Sequence, residues 1–259
     1  KPASWLRAGA TLTPEFSLRN PLRDVPHAFI VSNSGFNPIT DFTYGLVQSI
    51  GKGRTIKIGN KEFKAPGKLY NQWIKENGGY GNLISMDRNL HRQTLKKALQ
   101  ESSTHYVDVL DPRTYTALMR RLANPINVLR SISEVSESAT KVGEFRAALR
   151  KGTTPQEAAY RARDIMDFGR SGASIREANK VVAFMNANIQ GKSKLWRAFK
   201  ENPMGVIGKS IAAVTIPTIA AIVAQEKYSN KKQKEILDDA PQWMKDTFYL
   251  VPIPGTNQI

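Results

Sequence analysis

Three dipeptides constrain this chain more than any other feature. Asp111-Pro112, Asn124-Pro125 and Thr154-Pro155 each place a helix-capping side chain directly before a proline. Proline loses nothing at the first helical position, and the residue before it accepts a hydrogen bond from an orphan amide of the first turn. From Asp87 onward the chain is therefore expected to be helical. The longest helix is expected from Pro125 to about Lys151, with Gly152 as its stop. Val128, Ile132, Val135, Ala139, Val142 and Leu149 recur on one stripe, so this helix should bury a single narrow face against a partner. A bundle follows from that pattern.

The next stretch, Thr153 to Leu195, reads as a helical corner. Thr154-Pro155-Gln156-Glu157 has the pattern of a capping box, and Ala158, Ala162, Ile165 and Met166 form its buried stripe. Gly169 and Gly172 should stop that helix. Ser174-Ile175-Arg176-Glu177 repeats the box for a second helix, with Ile175, Ala178, Val182, Met185 and Ile189 on its stripe and Gly191 as its end. Ser193 is then expected to cap a short helix with Leu195, Trp196 and Phe199 turned inward, broken at Asn202-Pro203. Arg161, Arg163, Asp164, Asp167 and Arg170 crowd this corner. Two carboxylates at helical spacing could do acid–base work. Each, however, has an arginine three residues away (Arg161 for Asp164, Arg170 for Asp167), and a neighbouring cation makes a carboxylate a poor proton donor at neutral pH. The cluster reads as a structural lock, with Asn186, Asn188 and Gln190 fixing register through bonds to nearby backbone.

Before Asp87 the signals are mixed. Pro14, Pro21, Pro26 and Pro38 predict short helices, the first starting at Thr13-Pro14-Glu15. Asp41–Ile50 should be helical and Gly51 should end it. Ile56 and Ile58 alternate with Thr55 and Lys57, Gly59-Asn60 intervenes, and Lys61-Glu62-Phe63-Lys64 follows, which predicts a small isolated hairpin with Phe63 on its apolar face. Its outward side would carry Lys52, Arg54, Lys57, Lys61, Lys64 and Lys68, a candidate nucleic-acid patch. No aromatic residues interleave with those lysines as single-strand binders require, so a solvated hairpin is the favoured reading. Tyr70–Lys75 should form a short helix. The glycine-rich run from Asn77 to Asn82 lacks the spacing of a phosphate-binding loop.

Met204–Gln225 is the most apolar part of the chain, and Lys209 is its only charge. The uncharged run Ser210–Ala224 is 15 residues long, shorter than the roughly 20 that span a bilayer. Two readings stand: a Pro-kinked helix buried in a large assembly, or a helix that enters a membrane. Either one uses Ile211, Val214, Ile216, Pro217, Ile219, Ile222 and Val223. A basic cluster, Lys227, Lys231, Lys232 and Lys234, follows at once. Asp239-Ala240-Pro241 should start one more turn of helix, and Phe248–Val251 has strand character.

The fold class expected is mainly α: an irregular multi-helix bundle with one small β-hairpin near residues 54–65. Three segments are expected, 1–110, 111–202 and 203–259. Lys and Arg total 38 against 22 Asp and Glu, a net charge of +16, which suits nucleic acid, an anionic membrane or acidic neighbours in an assembly. The 259 residues include no cysteine, so disulfides, thiolate metal sites and a cysteine nucleophile are excluded. His27, His91 and His105 show no ligand spacing. No metal, cofactor or catalytic residue is expected.

A family resemblance adds to this reading. TTPQEAAYRARDIMDFGRSGAS, followed by FMNANIQGKSKLWRAF, resembles the all-helical accessory module of very large polyvalent proteins of tailed bacteriophages. The module's pattern falls on Pro155 to Ala159, Ala162-Arg163-Asp164, Asp167 to Gly172 and Asn186 to Gly191. Thr11 to Asp24 and the glycine loop near Gly78 resemble its opening part. The resemblance implies a non-catalytic segment of a longer internal virion or ejection protein, located inside the capsid and in the host envelope after ejection. It implies portal or core proteins and further copies of the chain as partners, and leaves phage DNA and host membrane as additional ones. The alternative is a nucleic-acid-binding accessory domain delivered with the genome.

Overall fold

The computed structural model describes residues 14–58, 60–80, 106–108, 125–167, 185–247 and 249–259. The fold is mainly α with one small β-hairpin. It divides into two units, Lys1–Glu201 and Asn202–Ile259. The boundary expected near residue 110 does not separate units, because the long helix of the core packs directly on the N-terminal helices.

Helix α1 (Pro14–Val31) runs 18 residues, straight through Pro21 and Pro26. The expectation of short, proline-broken helices was wrong here. An interior proline costs about 3 kcal/mol in an isolated helix, but α1 lies along the central helix and its end buries Ala28 and Val31 completely. Packing overrides propensity. Helix α2 (Thr40–Gly51) takes in the expected stop, Gly51, as its last residue, and the left-handed cap falls one residue later: Lys52 has φ 49°, and Gly53 follows at 67°.

Strands β1 (Thr55–Ile58) and β2 (Lys61–Lys64) form the expected antiparallel hairpin. It is not isolated. Strand β3 (Tyr106–Asp108), from a stretch expected to be helical, pairs parallel to β1. Phe63 lies opposite Ile56, on the expected side, but it is exposed. Helix α3 (Lys68–Lys75) brings Trp73 into the core, and the turn Gly78–Tyr80 closes over it. Gly78 lies so close to the Trp73 indole that a Cβ there would meet Nε1 at 2.0 Å.

Helix α4 (Pro125–Arg150) is the hub. The single narrow stripe expected for it is a misreading. Ile132 is exposed, and from Ala139 to Phe145 every residue is buried, polar ones included. The helix is packed on by α1, α2, α3 and, on another side, α5 (Pro155–Asp164). Trp73, Val142, Phe145, Ala148, Ala158, Ala159 and Ala162 form the core cluster. Helices α2 and α4 approach through glycines: a Cβ on Gly45 would lie 2.1 Å from the Ala139 carbonyl oxygen, and one on Gly143 would lie 2.7 Å from that of Asp41.

The C-terminal end of α4 reads the loop between α1 and α2 through polar groups. Asp41 is fully buried and accepts from Arg146 Nη1 at 2.8 Å, from Arg150 at 2.9 and 3.0 Å, and from the Asn37 amide at 2.9 Å. Ser32 Oγ donates to buried Glu144 at 2.7 Å and accepts from the amides of Ser34 and Phe36. Lys151 Nζ donates to the Asn33 carbonyl at 2.7 Å.

Gly152, at φ 90°, stops α4 as expected. The capping box of α5 is only half formed. Thr154 Oγ1 accepts from the Glu157 amide at 3.3 Å, but the Glu157 carboxylate turns to Arg161 instead of reaching back. Helix α6 (Met185–Glu201) passes through Gly191 and Ser193, which were expected to end one helix and cap another. Gly191 is not in the left-handed conformation that a glycine stop needs, and mid-helix it costs only about 1 kcal/mol. Leu195 and Trp196 are exposed, not inward; Ala198 is the buried residue of that turn. Gly169, Gly172 and the second capping box at Ser174 lie outside the described residues, as does Asp111-Pro112.

The second unit begins with Asn202, whose Oδ1 accepts from the Gly205 amide at 2.9 Å. It caps α7 (Pro203–Tyr228), which contains a π turn at Ile211–Thr215. Helices α8 (Lys231–Asp239) and α9 (Gln242–Thr247) follow. Residues 249–259 contain no strand; they form a looped tail.

Candidate functional site

The corner cluster does join two helices, with partners other than those the spacing suggested. Asp164, at the end of α5, accepts from Lys194 Nζ at 2.7 Å and from Arg197 at 3.0 and 3.2 Å, both on α6. Arg161 faces Glu157, not Asp164, because the i,i+4 pair is the better aligned on a helix. Arg163 lies 5.7 Å from the ring centre of Tyr160. Asp167 is half-buried, and Arg170 lies outside the described residues. Asn186 is buried and accepts from Gln190 Nε2 at 3.5 Å, a bond within α6, while Asn188 is exposed. Spacing alone missed Lys194 and Arg197, which are thirty or more residues away in sequence.

Burial works to raise the Asp164 carboxyl, but the hydrogen bond and charge of Lys194, then of Arg197, outweigh it and hold it below the ordinary value of 3.8. The site is therefore an ionised lock, with no proton to donate. In the unfolded chain this carboxyl takes up a proton first as pH falls. Its contribution is complete above 3.8 and is lost as pH drops through the folded value. Asp164→Asn should cost about 1–3 kcal/mol at pH 7. It should also flatten the loss of stability between about pH 4 and stronger acid, measured by urea denaturation. An unchanged acid limb would remove Asp164 from the account. Nearby on α1, burial pushes the Asp24 carboxyl up against the pull of Arg23, and pushes the His27 imidazole down.

The basic residues of the hairpin do not form one face. Register pairs Lys57 with Glu62 and Thr55 with Lys64, which puts Lys57 and Lys64 on one side. Lys61 falls on the other, with Ile56 and Phe63. Lys52 sits 5.6 Å from the Tyr70 ring, and Arg54 is half-buried. Lys68 opens α3 beside Lys64 on a shallow cleft of about 530 Å³. The outward basic side expected from the sequence is thus divided.

Among the described residues, α7 is the one helix long and apolar enough to cross a membrane. It has 26 residues and a mean hydropathy of 1.9 over its best window, of which only 11% is buried. Ile211, Val214, Ile216, Ile219, Ile222 and Val223 are all exposed, as are Met204 and Ile207. Among the described residues of its own unit, nothing covers these side chains. Pro217 is accommodated without loss of order. The Ile216 amide reaches back five residues to the Ile211 carbonyl, and Thr218 Oγ1 donates to the Val214 carbonyl at 2.7 Å. A π turn and a threonine hydroxyl bonded four residues back are local adjustments that let a helix continue through a proline.

The end of α7 is held by a polar clasp that the sequence reading missed. Asn230 and Gln233 form a complete capping box, with bonds of 2.9 and 3.0 Å. Gln233 is buried, and its Nε2 also donates to the carbonyls of Ile253 (3.1 Å) and Gln258 (2.7 Å). Gln225 Nε2 donates to the Leu250 carbonyl at 2.6 Å, and Asn230 Nδ2 to that of Thr256 at 2.9 Å. An amide box of Asn and Gln is a weaker sequence signal than Ser or Thr followed by Glu.

Among the described residues no group of three or more His, Asp or Glu could hold a metal ion. No protein-family model, curated protein or solved structure matches the chain.

Proposed function

We propose that the chain is a non-catalytic structural segment of a large phage internal virion or ejection protein. It scaffolds the internal core or the genome-ejection conduit, and α7 is the element it brings to a membrane. The observation that carries this is the exposure of α7: a helix apolar enough to cross a bilayer, yet left uncovered by the described residues of its own unit. A buried core helix of a soluble protein would be covered, and a signal sequence would not follow a folded unit. At 1.5 Å per residue the helix is about 39 Å long, against a hydrocarbon core of about 30 Å. Lys209, six residues from Pro203, can extend its amine to the interface. The phage context rests on the sequence resemblance, chiefly the signature that begins at Thr153; portal or core proteins and further copies of the chain are the partners it suggests. The nucleic-acid alternative has less behind it, because the hairpin lysines are split between two faces.

Liposome flotation tests the membrane element. The full chain should float with phospholipid vesicles. Val214→Lys with Ile219→Lys should reduce flotation at least tenfold, since each buried cation costs about 3 kcal/mol on insertion scales. The circular dichroism of the folded chain should not change, because both side chains are exposed. Equal flotation of the variant would sink the membrane role. A chain that neither floats nor self-associates in sedimentation would sink the structural role as a whole.

A further inference from the structure

The end of α7 at Tyr228 is not simply where the apolar run stops. Lys227, Lys231, Lys232 and Lys234 are all exposed and lie within about one turn on either side of the break at Ser229-Asn230. Around them Tyr228, Ile236, Tyr249, Val251 and Ile253 are exposed apolar or aromatic side chains. The clasp through Gln225, Asn230 and Gln233 fixes the tail against this break, so tail and lysines form one ordered platform.

The charges on α8 are placed against its own stability. Helix dipoles favour acidic residues in the first turn and basic residues in the last. Helix α8 has no acidic residue in its first turn and no basic residue in its last; three lysines open it, and Asp238 and Asp239 close it. Glu226 and Glu235 flank the lysines, so the surplus is local, and it is greatest at the end of the apolar helix. A fixed cluster of cations beside exposed tyrosines, at the mouth of an apolar helix, matches the headgroup layer of an anionic bilayer.

We propose that this C-terminal platform is an interfacial stop: it binds anionic phospholipid headgroups through Lys227, Lys231, Lys232 and Lys234 and holds the Tyr228 end of α7 at the bilayer surface. The inference rests on the membrane reading of α7 and adds to it the lipid class and the end of the helix that stays at the surface. Acidic phospholipid is the chosen partner because the platform offers cations and amphipathic rings together.

Flotation of the full chain, with zwitterionic phosphatidylcholine vesicles and with vesicles containing about 30% phosphatidylglycerol, tests this at roughly 0.15 M salt, where charges beyond about 8 Å are screened. The unsubstituted chain should prefer the anionic vesicles by roughly tenfold or more. Lys227→Gln, Lys231→Gln, Lys232→Gln and Lys234→Gln together should remove that preference and leave the residual binding to zwitterionic vesicles. Removing the same number of lysines from Lys57, Lys61, Lys64 and Lys68 should leave it in place. Equal flotation of the unsubstituted chain on both vesicles overturns the stop while the membrane reading stands. No flotation on either overturns both. A preference retained by the first variant, or lost in the hairpin variant, also overturns the stop. None of these lysine side chains is buried, and circular dichroism checks that each variant keeps its fold.

Discussion

Gly45→Ala should be among the most damaging single substitutions in the first unit. The added Cβ would lie 2.1 Å from the Ala139 carbonyl oxygen and 2.9 Å from the Gly143 amide nitrogen. Both are backbone atoms of α4, which cannot rotate aside as a side chain could. Relief requires α2 and α4 to separate, which opens the contact that seats Asp41 and Phe36. Overpacking of this kind costs about 3 kcal/mol, at the upper end of the usual range. Gly191→Ala is the matched control. That glycine is also helical, but nothing lies within 4 Å of where its Cβ would be. It should gain about 0.5–1 kcal/mol from helix propensity. Urea denaturation of the two variants should therefore move the midpoint in opposite directions. A Gly45→Ala midpoint equal to that of the unsubstituted chain would mean that α2 and α4 do not cross at these glycines.

The second large effect is expected at Asp41. Its carboxylate is wholly buried and ties two arginines of α4 to the turn that starts α2. Removing one partner of a buried ion pair commonly costs about 3–5 kcal/mol, because a charge is left behind. Here the charges left behind can reach water: the Arg146 side chain is 34% exposed and that of Arg150 50%. The expected loss for Asp41→Ala is accordingly about 2–4 kcal/mol. Asp41→Asn should fall between, since it keeps an acceptor for the Asn37 amide but gives up the charge. Because the carboxylate is buried, salt at about 1 M should reduce the stability difference between the unsubstituted chain and Asp41→Ala only slightly, whereas a surface pair would be screened. A loss under about 0.5 kcal/mol, the size of an exposed pair, would show that this latch is ornamental.

How far the sequence reached differs from element to element, for physical reasons. The starts of α4 and α5, the break at Asn202-Pro203 and the hairpin at Thr55–Lys64 were legible because their signals are local: a capping side chain beside a proline, or alternation around a turn. Helix α1 was not, because Pro21 and Pro26 argue for breaks and only contact with α4 overrides them. Gly152 and Gly191 look alike in sequence, yet one takes φ 90° and ends a helix while the other lies within one. The burial of α4 on several sides was hidden because Thr140, Lys141 and Glu144 read as solvent-facing until their neighbours are known. The lock at Asp164 was found as a site and misassigned in its partners, since i,i+3 spacing says nothing of Lys194 or Arg197. Short β3 and the Asn230–Gln233 clasp depend on long-range pairing or on amide side chains, and neither leaves a strong local pattern.

The π turn at Ile211–Thr215 has a geometric consequence for the residues beyond it. Such a turn is equivalent to one extra residue spliced into an α-helix, and one residue corresponds to about 100° of rotation. Ile219, Ile222, Val223 and Lys227 therefore point about a quarter-circle away from where an unbroken helix would aim them relative to Met204 and Ile207. The turn sets the angular phase between the two halves of α7, and with it the direction in which the lysines at its far end leave the helix.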